Sequence, residues 1–334
     1  MASPRRSGES TPTSCAILEI GGFPLERGVL RDDLLAGRDG LRLYGLTPPK
    51  RGQDPDKVRD IAERQARRIA ALAPDGLVLY DLQDEAGRTD AARPFPFLPT
   101  LEPLDYSRGY LGALDVPRVI YKCVGNQTAA ELLAWVDALE ADGRDACVLV
   151  GAPSSAAARA GALGLPAAYD LMRGRGAPPC LGGVAIAERH ARKLDEDERL
   201  FRKHASGCRF FISQTVFDAS ATKSLLSDYA LRFARERLAP VPFILSFSPC
   251  GSLKTMEFMK WLGISFPRWL ENDLRTAPDI LRKSVDLALQ IFADVRVFAK
   301  DKGIPLGINV ESVSIRKEEI EASGELFEAL SAMM

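Results

Sequence analysis

Short apolar runs alternate with amphipathic stretches along most of the chain. The first run, Leu41 to Leu46 (LRLYGL), stops at Thr47-Pro48-Pro49. From about Pro55 to Leu72 the residues Val58, Ile61, Ala62, Ile69 and Leu72 share one helical face, which Gln65 interrupts. Further strand-like runs are Gly76 to Leu82, Pro117 to Val124, Ala146 to Val150, Leu181 to Ile186, Cys208 to Ser213, Val241 to Phe247 and Pro305 to Val310. Helical patterns cover Thr128 to Leu139, Asp195 to His204, Ala221 to Leu238, Leu253 to Leu262, Asp279 to Lys302, and Lys317 to the end. Eight strand candidates result, most followed by a helix. Near-continuous apolar strands fit a parallel sheet buried on both faces. Strand–helix alternation restricts the choice to a barrel or a doubly wound sheet. Eight units in about 290 residues favour a single-domain (β/α)8 TIM-type barrel, with the doubly wound α/β sheet as the alternative.

Residues 1–14 are polar and rich in Ser, Arg, Pro and Thr, which predicts a disordered tail. Residues 15–334 then form the barrel, with an N-terminal extension over 15–40. Within that extension Ala16 to Gly22 (AILEIGG) reads either as a capping strand at the barrel bottom or as an extra hairpin.

Composition narrows the function classes. The chain has 334 residues, 46% hydrophobic and 27% charged, which is ample for a sizeable core. Forty-four basic residues nearly cancel forty-five acidic ones, so charge gives no reason to expect nucleic acid or an anionic membrane as partner. No apolar run approaches the about 18 residues of a membrane span. The first residues lack the apolar core of a signal peptide. Six scattered cysteines with no CxxC pair read as reduced thiols in a cytoplasmic protein. Only His190 and His204 are present, too few for a multi-histidine metal centre or a histidine relay. A small molecule is the expected partner, and a homo-oligomer is compatible with the sequence.

Active sites of such barrels lie at the C-terminal ends of the strands. That rim offers Thr47; Asp81, Gln83 and Asp84; Lys122, Asn126 and Gln127; then Gly151, Ser154 and Ser155. Its second half offers Glu188 and His190; Gln214 and Asp218; Ser246, Ser248 and Cys250; and Asn309, Glu311 and Ser312. Plain roles exist for several of them. Asp81 and Asp84 suit loops or N-caps, Ser154 and Ser155 suit a helix N-cap, and Glu188 and His190 suit a charged surface. Gln214 is an amide among apolar residues, so it is either satisfied within the core or aimed at a ligand. There is no phosphate-binding P-loop, no GxGxxG opening a helix after a strand, and no nucleophile elbow.

Several segments together resemble methylenetetrahydrofolate reductases. Thr47-Pro48-Pro49-Lys50 resembles the close of that family's first strand, and GGVAIAERH (Gly182 to His190) its fifth strand with a Glu-x-His. KHASGCRFFISQTVFD (Lys203 to Asp218) resembles its sixth strand, and MKWLGISFPRWL (Met259 to Leu270) the segment after its seventh. In order and spacing the likeness spans Leu41 to Ser314. It implies a barrel that binds FAD, takes hydride from NAD(P)H and reduces 5,10-methylenetetrahydrofolate to 5-methyltetrahydrofolate. By the same resemblance Gln214 falls on the glutamine that contacts substrate, with Phe217 on the aromatic position after it. Glu188, His190 and Lys203 fall on positions lining the flavin, and Gly151 lies where the fourth strand meets the cofactor.

The departures concern chemistry. The family carries a general-acid glutamate three residues before the Pro-Pro pair, where this chain has Gly45. The Arg-Gly-Asp after its fourth strand is here Val150-Gly151-Ala152. Tyr80 replaces a small hydroxyl residue that meets the flavin phosphate, which makes Tyr80, with Asn309, a candidate for substrate binding. General acid catalysis contributes about 10²–10⁴-fold, so a reductase needs a substitute acid. Glu311 at the end of the eighth strand is the first candidate, followed by Asp81, Lys122 and Glu19. Hydride transfer then runs through flavin or directly from NAD(P)H to the folate. Two other readings stay open, a non-redox folate-dependent one-carbon enzyme and a non-catalytic barrel that partners one.

Overall fold

A computed structural model describes residues 30–85, 91–152 and 158–334. Eight parallel strands close into a barrel in chain order, β1 to β8, with β8 paired back to β1. The strands are β1 (Arg42–Leu46), β2 (Gly76–Leu79), β3 (Arg118–Cys123), β4 (Ala146–Val150), β5 (Cys180–Ala185), β6 (Cys208–Thr215), β7 (Phe243–Phe247) and β8 (Leu306–Val310). A short helix, α1 (Leu30–Leu35), precedes the barrel. Those between strands are α2 (Pro55–Leu72), α3 (Pro103–Tyr110), α4 (Ala129–Leu139), α5 (Leu165–Arg173), α6 (Ala187–Lys193), α7 (Glu196–Ala205) and α8 (Ala219–Arg235). The last four are α9 (Leu253–Trp261), α10 (Arg268–Thr276), α11 (Ile280–Asp301) and α12 (Lys317–Ser331).

Local sequence sets the helix ends. Asp54 caps α2, with Pro55 opening it and Ala73 closing it in the left-handed region. Thr128 and Glu131 form a reciprocal capping box on α4. Asp218, Ser252 and Asp279 cap α8, α9 and α11 through their side chains. Aspartates also finish the lower edge of the sheet. The Asp39, Asp75 and Asp145 carboxylates accept from the backbone N–H of Leu306, Arg42 and Arg118 at 2.7, 2.9 and 2.9 Å. Each supplies an acceptor that the ladder lacks at its first residue.

The core has two shells. Residues alternating inward fill the lumen, among them Leu43, Val78, Val119, Val148, Phe210, Ile212 and Ile244. The larger shell lies between strands and helices and includes Tyr44, Leu79, Ile120, Phe211, Phe243, Phe247 and Phe292. Leu30 and Leu34 of α1 belong to the lumen core, so α1 plugs the barrel bottom. The plug needs Gly76, since a Cβ there would stand 2.4 Å from Leu30 Cδ2. Phe210 likewise lies over Gly182, where a Cβ would meet its ring at 2.3 Å.

The apolar runs mark all eight strands, with boundary shifts. β2 ends at Leu79, not Leu82, because the chain turns out of the sheet and leaves Leu82 41% exposed. β6 continues two residues past Ser213 to Thr215. Helices α1, α3, α5, α6 and α10 were not marked by the sequence; all are nine residues or shorter. The expected tail at 1–14, the Ala16 to Gly22 segment, Glu19, Ser154 and Ser155 lie outside the described residues.

Candidate functional site at the barrel mouth

Inward alternation brings Gly45, Tyr80, Tyr121, Ser246, Asn309 and Glu311 to the C-terminal end of the lumen, the end where β/α barrels keep their chemistry. Glu311 is the only carboxylate among these six. Its Oε1 accepts from Thr215 Oγ1 at 3.2 Å, and Tyr80 also hydrogen-bonds to it. Burial raises its pKa, and these two hydrogen bonds only partly offset that. Glu311 in turn holds the buried Tyr80 and Tyr121 hydroxyls protonated, adding to the effect of their own burial.

The polar chain continues behind Tyr80. Asn309 Nδ2 donates to Tyr80 Oη at 2.7 Å and to Ser246 Oγ at 3.1 Å. The Ser246 backbone N–H donates to Ser213 Oγ at 2.9 Å. Asn309 is fully buried and its Oδ1 has no partner. Tyr80 and Tyr121 pack at 4.9 Å between centroids, forming an aromatic wall beside Glu311.

Gly45 makes room for this arrangement. A Cβ at position 45 would stand 2.8 Å from Glu311 Cβ and 3.1 and 3.2 Å from the Tyr80 ring and hydroxyl. The space a side chain on β1 would enter is therefore held by the carboxylate at the end of β8. Of the proposed catalytic set, Glu311 is in the lumen and Asp81 and Lys122 are not beside it. Asp81 binds the Cys123 N–H and Gln83 Nε2, each at 2.8 Å, and burial raises its pKa. Lys122 follows inward-facing Tyr121 and so points outward. It pairs with Glu102 at 3.0 Å and lies 5.3 Å over the Trp135 ring.

The substrate-side candidates divide as well. Tyr80 and Asn309 are in the lumen network. Gln214 is not, because β6 shifts register against β7 between Ile212 and Thr215. The bulge turns Thr215 to the lumen and Gln214 outward, where Nε2 donates to Leu262 O at 2.9 Å. Phe217 is buried in the outer shell, stacked on Phe266 at 4.3 Å. Gln214 and Glu188 line a small pocket of about 10 Å³, together with Ser213, Asp218 and Thr222. Gln214 Oε1 and Glu188 Oε2 are both buried without a hydrogen-bond partner. Burial raises the Glu188 pKa, with Asp218 adding to it.

The residues expected to line a flavin are engaged elsewhere. His190 is fully buried and contacts Asp228 of α8 at 3.0 Å. Lys203 donates to Val184 O beside Glu196, and burial lowers its pKa. Glu188 Oε1 accepts from the Ser265 N–H at 3.4 Å. Gly151 alone is exposed. Three of the four are thus committed to packing between strands and helices, and this set does not fit a flavin. Among the described residues no cluster of His, Cys, Asp and Glu could hold a metal ion. The five described cysteines are free and buried. No described helix is long and apolar enough to cross a membrane.

Fold and site together define a closed (β/α)8 barrel whose mouth is organised around one partly buried carboxyl group. No family model matches the chain, and no curated protein does. Among solved structures, an uncharacterized protein from Clostridium thermocellum that binds two copies of 5-methyl-5,6,7,8-tetrahydrofolic acid matches with 42% identity and a TM-score of 0.80. The match covers 91% of this chain and 100% of that one, and the chain belongs to the family of that protein. The oxygenating constituent of a type II Baeyer–Villiger monooxygenase from Pseudomonas putida, in complex with FMN, matches at 11% identity and a TM-score of 0.52, covering 87% and 97% of the two chains. At that identity the likeness is one of fold.

Proposed function

We propose that this protein binds a reduced folate in the barrel mouth and reduces the one-carbon unit it carries, with hydride taken directly from NAD(P)H and Glu311 as general acid. Folate binding rests on the Clostridium thermocellum relative, which takes two copies of a reduced folate. Two copies are what a protein with places for two flat ring systems would take. In a reductase one place suits the pterin and the other the nicotinamide.

The observation that carries the proposal is the position of Glu311. Its Cβ stands 2.8 Å from where a Cβ on Gly45 would be, the place that the reductase resemblance gives to a general acid. A carboxyl whose pKa is raised by burial keeps its proton to higher pH than an ordinary glutamate, as a general acid must. NAD(P)H supplies a hydride to the methylene carbon. Glu311 passes its proton to the ring nitrogen released as the carbon–nitrogen bond breaks, giving the methyl product. Tyr80 and Thr215 hold the carboxyl in place, and the Tyr80–Tyr121 wall offers an apolar face for a ring.

The test combines binding and turnover. Purified protein, with no added flavin, is titrated with 5-methyltetrahydrofolate and then assayed for NADH and NADPH oxidation with 5,10-methylenetetrahydrofolate. Folate-dependent oxidation is expected, and Glu311→Gln should lose about 10²–10⁴-fold in turnover while still binding folate. Folate binding with no oxidation of either nucleotide would overturn the reductase assignment and favour non-redox folate chemistry. No folate binding would overturn the proposal as a whole and favour a non-catalytic partner barrel.

A further inference from the structure

The loop that leaves β2 does not turn directly into α3. Its described later part, residues 91–102, runs along the rim of the barrel. At one end it is tied to the exit of β1, where Arg51 N donates to Pro99 O and Leu101 N to Pro49 O, both at 2.8 Å, around an antiparallel Lys50–Thr100 bridge. At the other end it meets α9. Trp261 Nε1 donates to Ala91 O at 2.9 Å, and Phe95 packs edge-on against Phe258 at 5.3 Å. Helix α9 follows β7, and β8 lies between β7 and β1. The strap therefore joins the exits of the two strands that flank β8, the strand that leads into Glu311.

Arg93 sits where the strap meets α9. Its guanidinium carbon lies 5.2, 5.4 and 4.9 Å from the centroids of Phe97, Phe258 and Trp261. Rings from the strap and from α9 thus surround one cation. Its Nε and Nη1 atoms are fully buried and have no hydrogen-bond partner. The nearest carboxylate, Asp84, is 4.0 Å away, beyond hydrogen-bonding distance, and its side chain is 56% exposed. Aromatic faces attract a cation but accept none of its in-plane N–H groups. A desolvated cation whose N–H groups go unmatched is unfavourable unless an anion completes it. Burial lowers the Arg93 pKa, and the Asp84 and Glu85 carboxylates offset that only in part.

We propose that Arg93 is an anion-recognition residue of the mouth, taking the anionic oxygens of the ligand held beneath the strap. Two sources offer that chemistry, the carboxylates of a folate's glutamate tail and the phosphates of NAD(P)H. The assignment of a ligand rests on the reduced-folate and NAD(P)H proposal above. The Arg93 site itself rests on the cage, the unmatched N–H groups and the strap. A guanidinium presents donors in a planar fork that suits carboxylate or phosphate.

The experiment compares wild type with Arg93→Met, which keeps apolar bulk in the cage, and with Arg93→Lys, which keeps charge but loses the fork. Dissociation constants are measured for three probes: 5-methyltetrahydrofolate, its tetrahydropteroate counterpart lacking glutamate, and NADPH. If the tail is the source, wild type prefers the glutamate-bearing folate by at least tenfold, Arg93→Met erases that preference, and the pteroate binds both alike. If phosphate is the source, NADPH affinity falls at least tenfold in Arg93→Met while the two folates are unaffected. In either case Arg93→Lys falls between. Thermal melting of the variants checks that the barrel stays folded, and a loss shown by Arg93→Lys at wild-type melting temperature supports the proposal independently. Unchanged affinity for all three probes in both variants overturns it. A wild-type protein that binds NADPH but no folate removes the folate proposal and leaves the NADPH arm to decide Arg93. A wild type that binds none of the probes overturns both.

Discussion

Gly45→Ala adds one methyl group at the most crowded point of the mouth. Its Cβ would stand 2.8 Å from Glu311 Cβ and 3.1 Å from a Tyr80 ring carbon. Carbon atoms in contact normally lie about 3.5–4.0 Å apart, so roughly 1 Å of movement is required. The obstructing atom is a Cβ, which cannot swing aside without its backbone, and β8 is buried up to the neighbouring Val310. Overpacking of this kind destabilises by about 1–3 kcal/mol. The cause can be isolated with a cycle. Glu311→Gly removes the obstructing Cβ, so Gly45→Ala in that background should lose most of its penalty, a coupling of about 1–3 kcal/mol. Glu311→Ala retains the Cβ and should relieve less. Urea unfolding of the single and double variants measures the coupling. If Gly45→Ala is as stable as wild type, or its penalty is the same in the Glu311→Gly background, Glu311 does not occupy the space opposite β1.

Three other outcomes are expected. Because burial raises the Glu311 pKa, its contribution is present below the unfolded value of about 4.5 and is lost as pH rises through the raised folded value. Glu311→Gln should accordingly gain stability relative to wild type as pH rises, read from urea midpoints between about pH 5 and 8; a difference that is flat with pH would contradict the buried carboxyl. Lys122→Met should lose about 1–3 kcal/mol by leaving the Glu102 carboxylate without its cation, yet bind folate as wild type does, since Lys122 points outward; weakened binding would bring Lys122 back into the site. Gln214→Ala should release the Leu262 carbonyl at a loss of about 1 kcal/mol, yet bind folate as wild type does, since the amide points outward and ties β6 to the segment after α9; weakened affinity in a titration would bring Gln214 back into the site.

The barrel was legible because its strands are unbroken apolar runs, and burial on both faces demands such runs of a parallel sheet. Helix α2 was readable to the residue, since Asp54, Pro55 and a long apolar stripe mark it. Helix α6 left no such trace, being seven residues whose only apolar side chains in AERHARK are two alanines. The mouth was legible only in part. Glu311 and Asn309 follow from counting in twos along β8. The same count from Tyr121 would have turned Lys122 outward. Gln214 is different, because the bulge that reverses its direction depends on pairing with β7 and leaves no mark in FFISQTVF. His190 was hidden for a similar reason. Its carboxylate partner, Asp228, is 38 residues away on α8, and only tertiary packing brings them together.

The closure of the sheet has a consequence for how the chain is made. β1 completes its pairing with β8, and Leu306 N donates to an Asp39 carboxylate that precedes it by 267 residues. At a synthesis rate of about 5–20 residues per second, roughly 15–50 s pass between the appearance of these two partners. For that interval β1 has an open edge, and the growing sheet presents an apolar inner face that nothing yet encloses. Ribosome-bound chains stopped before residue 305 should therefore be open sheets that engage holdase chaperones, and release from them should await the last strand.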